Sequence, residues 1–277
     1  IRRLPQIPYR RSYLSFKTEE KREQIAQSKK TPDALGKISL VSDTTLYSDI
    51  ILKVVSSLTR RDYASVKHLF TEEGYSVYEK LLRYGKARVI KTPKLKFIRF
   101  GDYIIGRSVP MSFNFENSLK LFTESVVFYF DPDNKICNIS FGLEDRALSD
   151  ITSCVEWGED IRILLISFLE NYKTAFALKR FDYIDKIFSD DALIITGFVT
   201  KTVTPEQKFI ENTIVRYNRQ TKSEYMKRLR YSFDSKEYIN IRFAQNLIRR
   251  SGKSDSVYGI QIKQDYYSSN YGDSGYL

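Results

Sequence analysis

Hydrophobic positions along this chain change period twice, and in the same order each time. In SDTTLYSDIILKVVSSLTRRDY, Leu46, Ile50, Ile51, Val54, Val55 and Leu58 recur at steps of three and four, the mark of one buried helix face. A second helix is expected after Asp62-Tyr63, turning Val66, Leu69 and Phe70 inward. A third, YSVYEKLLRY over 75–84, ends at Gly85, which suits the position just past a helix because glycine accepts positive φ without strain. The period then shortens. KLKFIRFGDYIIGRSVPMSFNF and LKLFTESVVFYF are rich in β-branched and aromatic residues, and DPDN at 131–134 turns the chain into KICNISFGL as a hairpin. Residues 43–143 therefore read as helices followed by antiparallel sheet.

The order restarts downstream. Ile161, Leu164, Leu165, Phe168, Leu169, Tyr172 and Phe176 form one apolar helical stripe, a short helix DYIDKIF follows, and ALIITGFVT is extended. Thr204-Pro205-Glu206-Gln207 and Thr221-Lys222-Ser223-Glu224 have the form of capping boxes. TIVRYNRQ between them reads as a strand, which makes 193–220 a local insertion. At the end Ile239, Ile241, Phe243, Gln245 and Leu247 alternate with polar or small residues, and so do Tyr258, Ile260 and Ile262, as in a sheet with one side packed on helices.

The two halves share a phrase. Leu58-Thr59-Arg60-Arg61-Asp62-Tyr63 aligns with Leu178-Lys179-Arg180-Phe181-Asp182-Tyr183, and after a gap of two His68-Leu69-Phe70-Thr71-Glu72-Glu73 aligns with Lys186-Ile187-Phe188-Ser189-Asp190-Asp191. Each copy ends a long helix and opens a short one, so the phrase encodes a helix–helix corner. In this reading the Asp caps the second helix and the acidic pair leads toward the sheet. These residues resemble the nuclear-transport-factor-2-like superfamily, also called the SnoaL-like or ketosteroid-isomerase-like cone. The resemblance implies an α+β chain of two tandem cone-shaped domains, each with N-terminal helices packed on a curved antiparallel sheet. The expected organisation is a basic extended arm (1–41), a first cone (42–145), a linker (146–158) and a second cone (159–277). The tail YGIQIKQDYYSSNYGDSGYL also resembles tandem-cone envelope proteins of Bacteroidota. This implies a periplasmic or envelope location after removal of a signal peptide. A cone of this kind continues beyond a hairpin such as DYYSSNYGDSGYL, so the second cone is expected to lack its last strands here, by truncation or by completion from another chain.

Charge and composition narrow the chemistry. The net charge is +11 over 277 residues, which favours anionic partners. The arm carries Arg2, Arg3, Arg10, Arg11, Lys17, Lys21, Arg22, Lys29, Lys30 and Lys37 against Glu19, Glu20, Glu23 and Asp33, and TEEKREQIAQSKK within it has the makings of a short polar helix. Cys137 and Cys154 make neither a disulfide framework nor a zinc spacing; Cys137 alternates with Ile139 and Phe141 and is expected to face a core. His68, the single histidine, reads as a surface or half-buried helix residue, and Glu72, Glu73, Asp190 and Asp191 as solvated or capping groups. No phosphate-binding loop, dinucleotide fingerprint, metalloprotease or nucleophile-elbow motif occurs. No catalytic residue, metal or cofactor is assigned. The binding candidates are Arg2, Arg3, Arg10 and Arg11 on the arm and Tyr266, Tyr267 and Tyr271 in the tyrosine-rich tail. The expected role is a non-catalytic binding or scaffolding protein that docks a protein partner or an anionic glycan. Two readings compete with it: a small-molecule pocket with isomerase-like or dehydratase-like chemistry, and nucleic-acid binding. Look inside the cones to choose between the first two. A roomy cavity with convergent polar groups favours a ligand, whereas a plug of Phe, Leu and Tyr favours a scaffold.

Overall fold

The structure, a computed structural model, describes residues 38–117, 120–154, 156–202, 212–250 and 258–276. Residues 1–37 of the arm, Thr204-Pro205-Glu206-Gln207 and residues 251–257 lie outside the described residues.

The first half opens with helix α1 (Thr45–Arg60), a 3-10 helix (Ala64–Leu69) and helix α2 (Glu72–Arg83). On α1, Ile50, Ile51, Val54 and Leu58 are buried as the period requires, but Leu46 in the first turn is 52% exposed. Helix α2 begins three residues earlier than its apolar pattern suggests. Thr71 caps it by accepting from the Gly74 N–H at 3.1 Å, and Glu72 and Glu73 occupy the first turn, where carboxylates complement the helix dipole. The pair therefore opens a helix instead of leading to the sheet. Gly74 itself touches the sheet: a Cβ on it would stand 2.0 Å from the Ile136 carbonyl oxygen. At the other end Gly85 is not the left-handed residue. That conformation falls on Lys86 (φ 49), while an added Cβ on Gly85 would meet the Leu81 carbonyl at 2.7 Å.

Strands β1 (Arg88–Val89), β2 (Lys96–Phe100), β3 (Tyr103–Phe113), β4 (Phe122–Phe130) and β5 (Ile136–Phe141) form an antiparallel sheet of order β1-β3-β4-β5. β2 pairs with residues 103–107 of β3 and β1 with 111–112, so the two lie end to end along one side of it. The expected turn at 131–134 joins β4 to β5, with Asn134 at φ 62 and the Asp131 carboxylate accepting from the Lys135 N–H. Both faces of this sheet are covered. Phe97, Ile104, Phe128 and Phe130 pack toward α1 and α2, while Ile98, Ile105, Val127 and Tyr129 join a second core built from the rest of the chain.

That second core begins in the stretch expected as a linker. Helix α3 (Asp145–Thr152) buries Ala147, Leu148 and Ile151, because its apolar residues at helical spacing face the helix that follows and the last sheet of the chain. Helix α4 (Glu159–Ala177) follows, then α5 (Phe181–Ile187), the two-stranded hairpin β6 (Leu193–Thr202) and β7 (Asn212–Thr221), helix α6 (Lys222–Ser235), and a sheet of β8 (Ile239–Arg250), β9 (Tyr258–Ser268) and β10 (Gly272–Tyr276) in order β10-β9-β8. The β6–β7 hairpin occupies the stretch read as an insertion, with TIVRYNRQ a strand as expected. Thr221 and Glu224 make the expected capping box for α6. A bulge between Phe243 and Asn246 shifts the β8 register, pairing Asn246 with Ile262.

Helix α4 departs from a one-sided stripe. Its C-terminal half is buried nearly all round, from Leu169 to Ala177 with only Asn171 half-buried, whereas Leu164 and Phe168 remain 45% and 40% exposed. It lies between the first sheet and β8, so one helix serves both halves of the chain. The architecture is mixed helix and antiparallel sheet, with helices before strands in the first half and α6 placed between two sets of strands in the second.

The shared phrase does form equivalent corners, in a different register. Both turn through a left-handed residue, Arg61 (φ 61) and Lys179 (φ 51). Both close with the same long-reach bond, Asp62 N–H to the Ser57 carbonyl at 3.0 Å and Arg180 N–H to the Ala175 carbonyl at 2.7 Å. The structural offset is thus 179 − 61 = 118, the offset that already related His68-Leu69-Phe70 to Lys186-Ile187-Phe188. The gap of two disappears. Asp62 and Asp182 are not equivalent, and neither caps its helix through its side chain.

Candidate functional site

The charged residues with the most constrained surroundings sit between the two halves. Glu170 and Lys173, one turn apart on α4, face the first sheet and are 0% and 1% exposed. Arg107 meets Glu170 with both ends of its guanidinium, Nη1 to Oε2 at 2.9 Å and Nη2 to Oε1. Arg107 falls in the β-bulge between Gly106 and Val109, where an extra residue re-aims a side chain out of the regular pleat. The Tyr129 hydroxyl donates to Glu170 Oε2 at 3.3 Å, and the Leu143 N–H to Oε1 at 3.0 Å.

A second cluster lies one turn along. The Lys173 ammonium donates to Glu124 Oε2 at 2.8 Å, Glu144 Oε1 at 3.0 Å and the Gly142 carbonyl at 3.2 Å. Asn240 on β8 donates to Glu124 Oε1, and the Phe243 N–H to Glu144 Oε2. Burial alone pulls the Arg107 and Lys173 pKa values down, but the facing carboxylates outweigh it, and both cations are held above their ordinary values. Burial pushes the Tyr129 hydroxyl up, aided by the Glu170 charge.

A general base needs a lone pair aimed at substrate. Both oxygens of Glu170 and of Glu124 are instead occupied by donors from the protein. Such an arrangement fastens elements together. These residues escaped the sequence reading because their partners are distant in the chain, and Arg107 and Glu124 each stand as a lone charge in a strand. The available signal was Glu170 and Lys173, spaced one helical turn apart on α4.

The candidates named from sequence fare differently. Arg2, Arg3, Arg10 and Arg11 lie outside the described residues. Tyr266 is half-buried and its ring stands 6.1 Å from that of Tyr271. Tyr267, pointing to the opposite face of β9, is 42% exposed and Tyr271 is 52% exposed. The Tyr271 hydroxyl donates to Asp273 at 2.7 Å, a bond that pushes its pKa up to about 12. The tail is thus a hairpin whose aromatics pair across its turn, with Tyr267 on the outside. His68 is exposed on the 3-10 helix. Cys137 and Cys154 form no disulfide with each other, and their thiols donate to the carbonyls of Tyr129 and Asp150; burial pushes the Cys137 thiol up to about 11.

Two surface grooves accompany the corners. One of about 200 Å³ is lined by Lys53, Arg60, Asp62 and His68. Another of about 410 Å³ runs between α2 and α5, with Glu72, Glu73, Lys80, Arg180, Asp182 and Lys186 along it. Its charges nearly cancel. Among the described residues no helix is long and apolar enough to cross a membrane. No protein-family model, curated protein or solved structure matches the chain.

Proposed function

We propose that this chain is a non-catalytic binding or scaffolding protein of a bacterial cell envelope, built from two cone-type α+β domains. It docks a protein partner or an anionic glycan through its basic arm, with Arg2, Arg3, Arg10 and Arg11, and through the tyrosine hairpin, where Tyr267 and Tyr271 are accessible and Tyr266 supports them. The envelope setting and the cone assignment follow the family resemblance. The observation that carries the non-catalytic reading is the filling of the first half. Tyr78, Phe113, Phe115, Phe128, Phe130 and Phe141, all under 2% exposed, occupy the space between helices and sheet where a cone would hold a ligand. The donor sets around Glu170 and Glu124 support the same reading, since every oxygen of both carboxylates is already bonded to a donor from the protein.

The test is affinity capture from source-cell lysate with the full chain and with R2E/R3E/R10E/R11E, followed by binding of the purified partner. The expected result is a stoichiometric protein or glycan ligand that the arm variant loses. Thermal stabilisation by a small metabolite, with turnover of it and no macromolecular ligand, would overturn the proposal.

A further inference from the structure

From Lys80 to Gly101 the chain carries Lys80, Arg83, Lys86, Arg88, Lys91, Lys94, Lys96 and Arg99 and not one Asp or Glu. The fold sets the last six of these along one side of the first sheet. Arg88 lies on β1 and Lys96 and Arg99 on β2, both strands flanking the same side of β3, and Lys91 and Lys94 lie on the loop between them. β3 has 11 residues, so this edge is about 30 Å long at the usual rise of a strand. Lys86, Arg88, Lys91, Lys94 and Arg99 are exposed, and among the described residues none has a carboxylate within ion-pair distance. The chain enters the fold beside the same edge, where Leu40 bridges Ile98 and the Val41 N–H donates to the Phe97 carbonyl. The ten cations and four acids of residues 1–37 are therefore tethered to it.

Exposed apolar side chains accompany the cations: Leu40, 53% exposed, lies beside β2, and a second stands among them. Ile90 is 48% exposed between Arg88 and Lys91, at the end of the shortest strand. A single phosphate needs a pocket of convergent donors, whereas a line of separated cations matches an extended array of negative charge. Nucleic acid and an acidic lipid surface both offer one. Single-stranded nucleic acid is held by aromatic faces in series along the phosphate path. This edge presents an aliphatic residue at its centre and one exposed ring, Tyr103, at its end. An aliphatic anchor among cations, with a tyrosine at the margin, is the combination that seats a protein on an anionic bilayer.

We propose that the β1–β2 edge, centred on Ile90, Lys91 and Lys94, docks the protein on an acidic phospholipid surface. This inference goes beyond the macromolecular partner proposed above and does not depend on it. The test is vesicle flotation of the full chain with phosphatidylcholine alone and with phosphatidylglycerol added, over a salt series. K91E/K94E, I90N and R2E/R3E/R10E/R11E run in parallel, with melting curves to show that each is folded. Binding is expected only to acidic vesicles and is expected to fall as salt rises. Each cation near such a surface contributes about five-fold in partitioning, so K91E/K94E is expected to lose about 20-fold or more. I90N is expected to lose several-fold with its salt dependence unchanged, because insertion of an apolar side chain is not screened. Wild-type binding by K91E/K94E or by I90N overturns the proposal. So does complete loss in the arm variant alone. Tighter binding to an oligonucleotide than to vesicles, lost in K91E/K94E, overturns it in favour of nucleic acid.

Discussion

At the scale of single residues, the strongest commitments are buried charges and a buried hydroxyl. Replacing Glu170 by Gln leaves the Arg107 guanidinium enclosed without its counter-ion, the costly way to break a buried pair. E170Q is expected to lower unfolding free energy by about 3–5 kcal/mol in chemical denaturation. An apolar replacement of both partners is expected to recover much of that. Tyr78 is 1% exposed and hydrogen-bonded to Ser57 at 2.8 Å, and burial raises its pKa from 10.0 to about 12. Because the folded-state value lies above the unfolded one, its contribution is intact below pH 10 and is lost as pH rises toward 12. Stability measured over that window is expected to fall, and Y78F to fall less steeply. An ultraviolet titration of wild type against Y78F locates the phenolate directly.

At the scale of elements, the contact between α2 and β5 is set by a missing side chain. The 2.0 Å approach of a would-be Cβ to the Ile136 carbonyl means that G74A must push the helix off the strand. A loss of about 2–3 kcal/mol is expected, typical of overpacking, and a lowered melting temperature checks it. Most elements were legible in the sequence, because a helix or a half-buried strand prints its own period. Thr221 and Glu224 announced α6, and Asp131 to Asn134 announced the β4–β5 turn. What stayed hidden depends on neighbours. The run from Val126 to Phe130 has no alternation because both faces of β4 are covered, and a continuous apolar run does not say by what. The shared corner was legible as a phrase but misaligned, since the Asp-Tyr match does not fall on equivalent positions and the left-handed corner can fall on Arg61 or Lys179 without any glycine to mark it. Of the candidate binding residues, Tyr267 and Tyr271 proved accessible. The β1–β2 cations could have been counted in advance, but their alignment on one side of β3 needed the pairing register.

At the scale of the molecule, α4 makes the two halves mechanically one body. Its second half contributes Leu169, Tyr172 and Phe176 to one core and Ala177 to the other, and its charges reach both β3 and β4. The full chain is expected to unfold in a single transition, with the fluorescence of Trp157 and far-ultraviolet circular dichroism giving the same midpoint. In E170Q both probes should move together; separated midpoints would show halves that melt independently. Charge reversal at Lys91 and Lys94 should move neither, since both side chains are exposed and make no ion pair among the described residues.

The charged contact across α4 has one more consequence, for a chain that is severed. A break between α3 and α4 leaves Arg107 and Glu124 on one fragment and Glu170 and Lys173 on the other. Each fragment alone holds half of a lock, with unmatched ions set in an apolar surface that water does not tolerate well. Produced separately the pieces should aggregate; produced together they should find each other in a single register, because only the native alignment matches both ion pairs at once. Two halves locked by such a helix are expected to work only as a pair, so that neither can be exchanged for a foreign half without also supplying its ions.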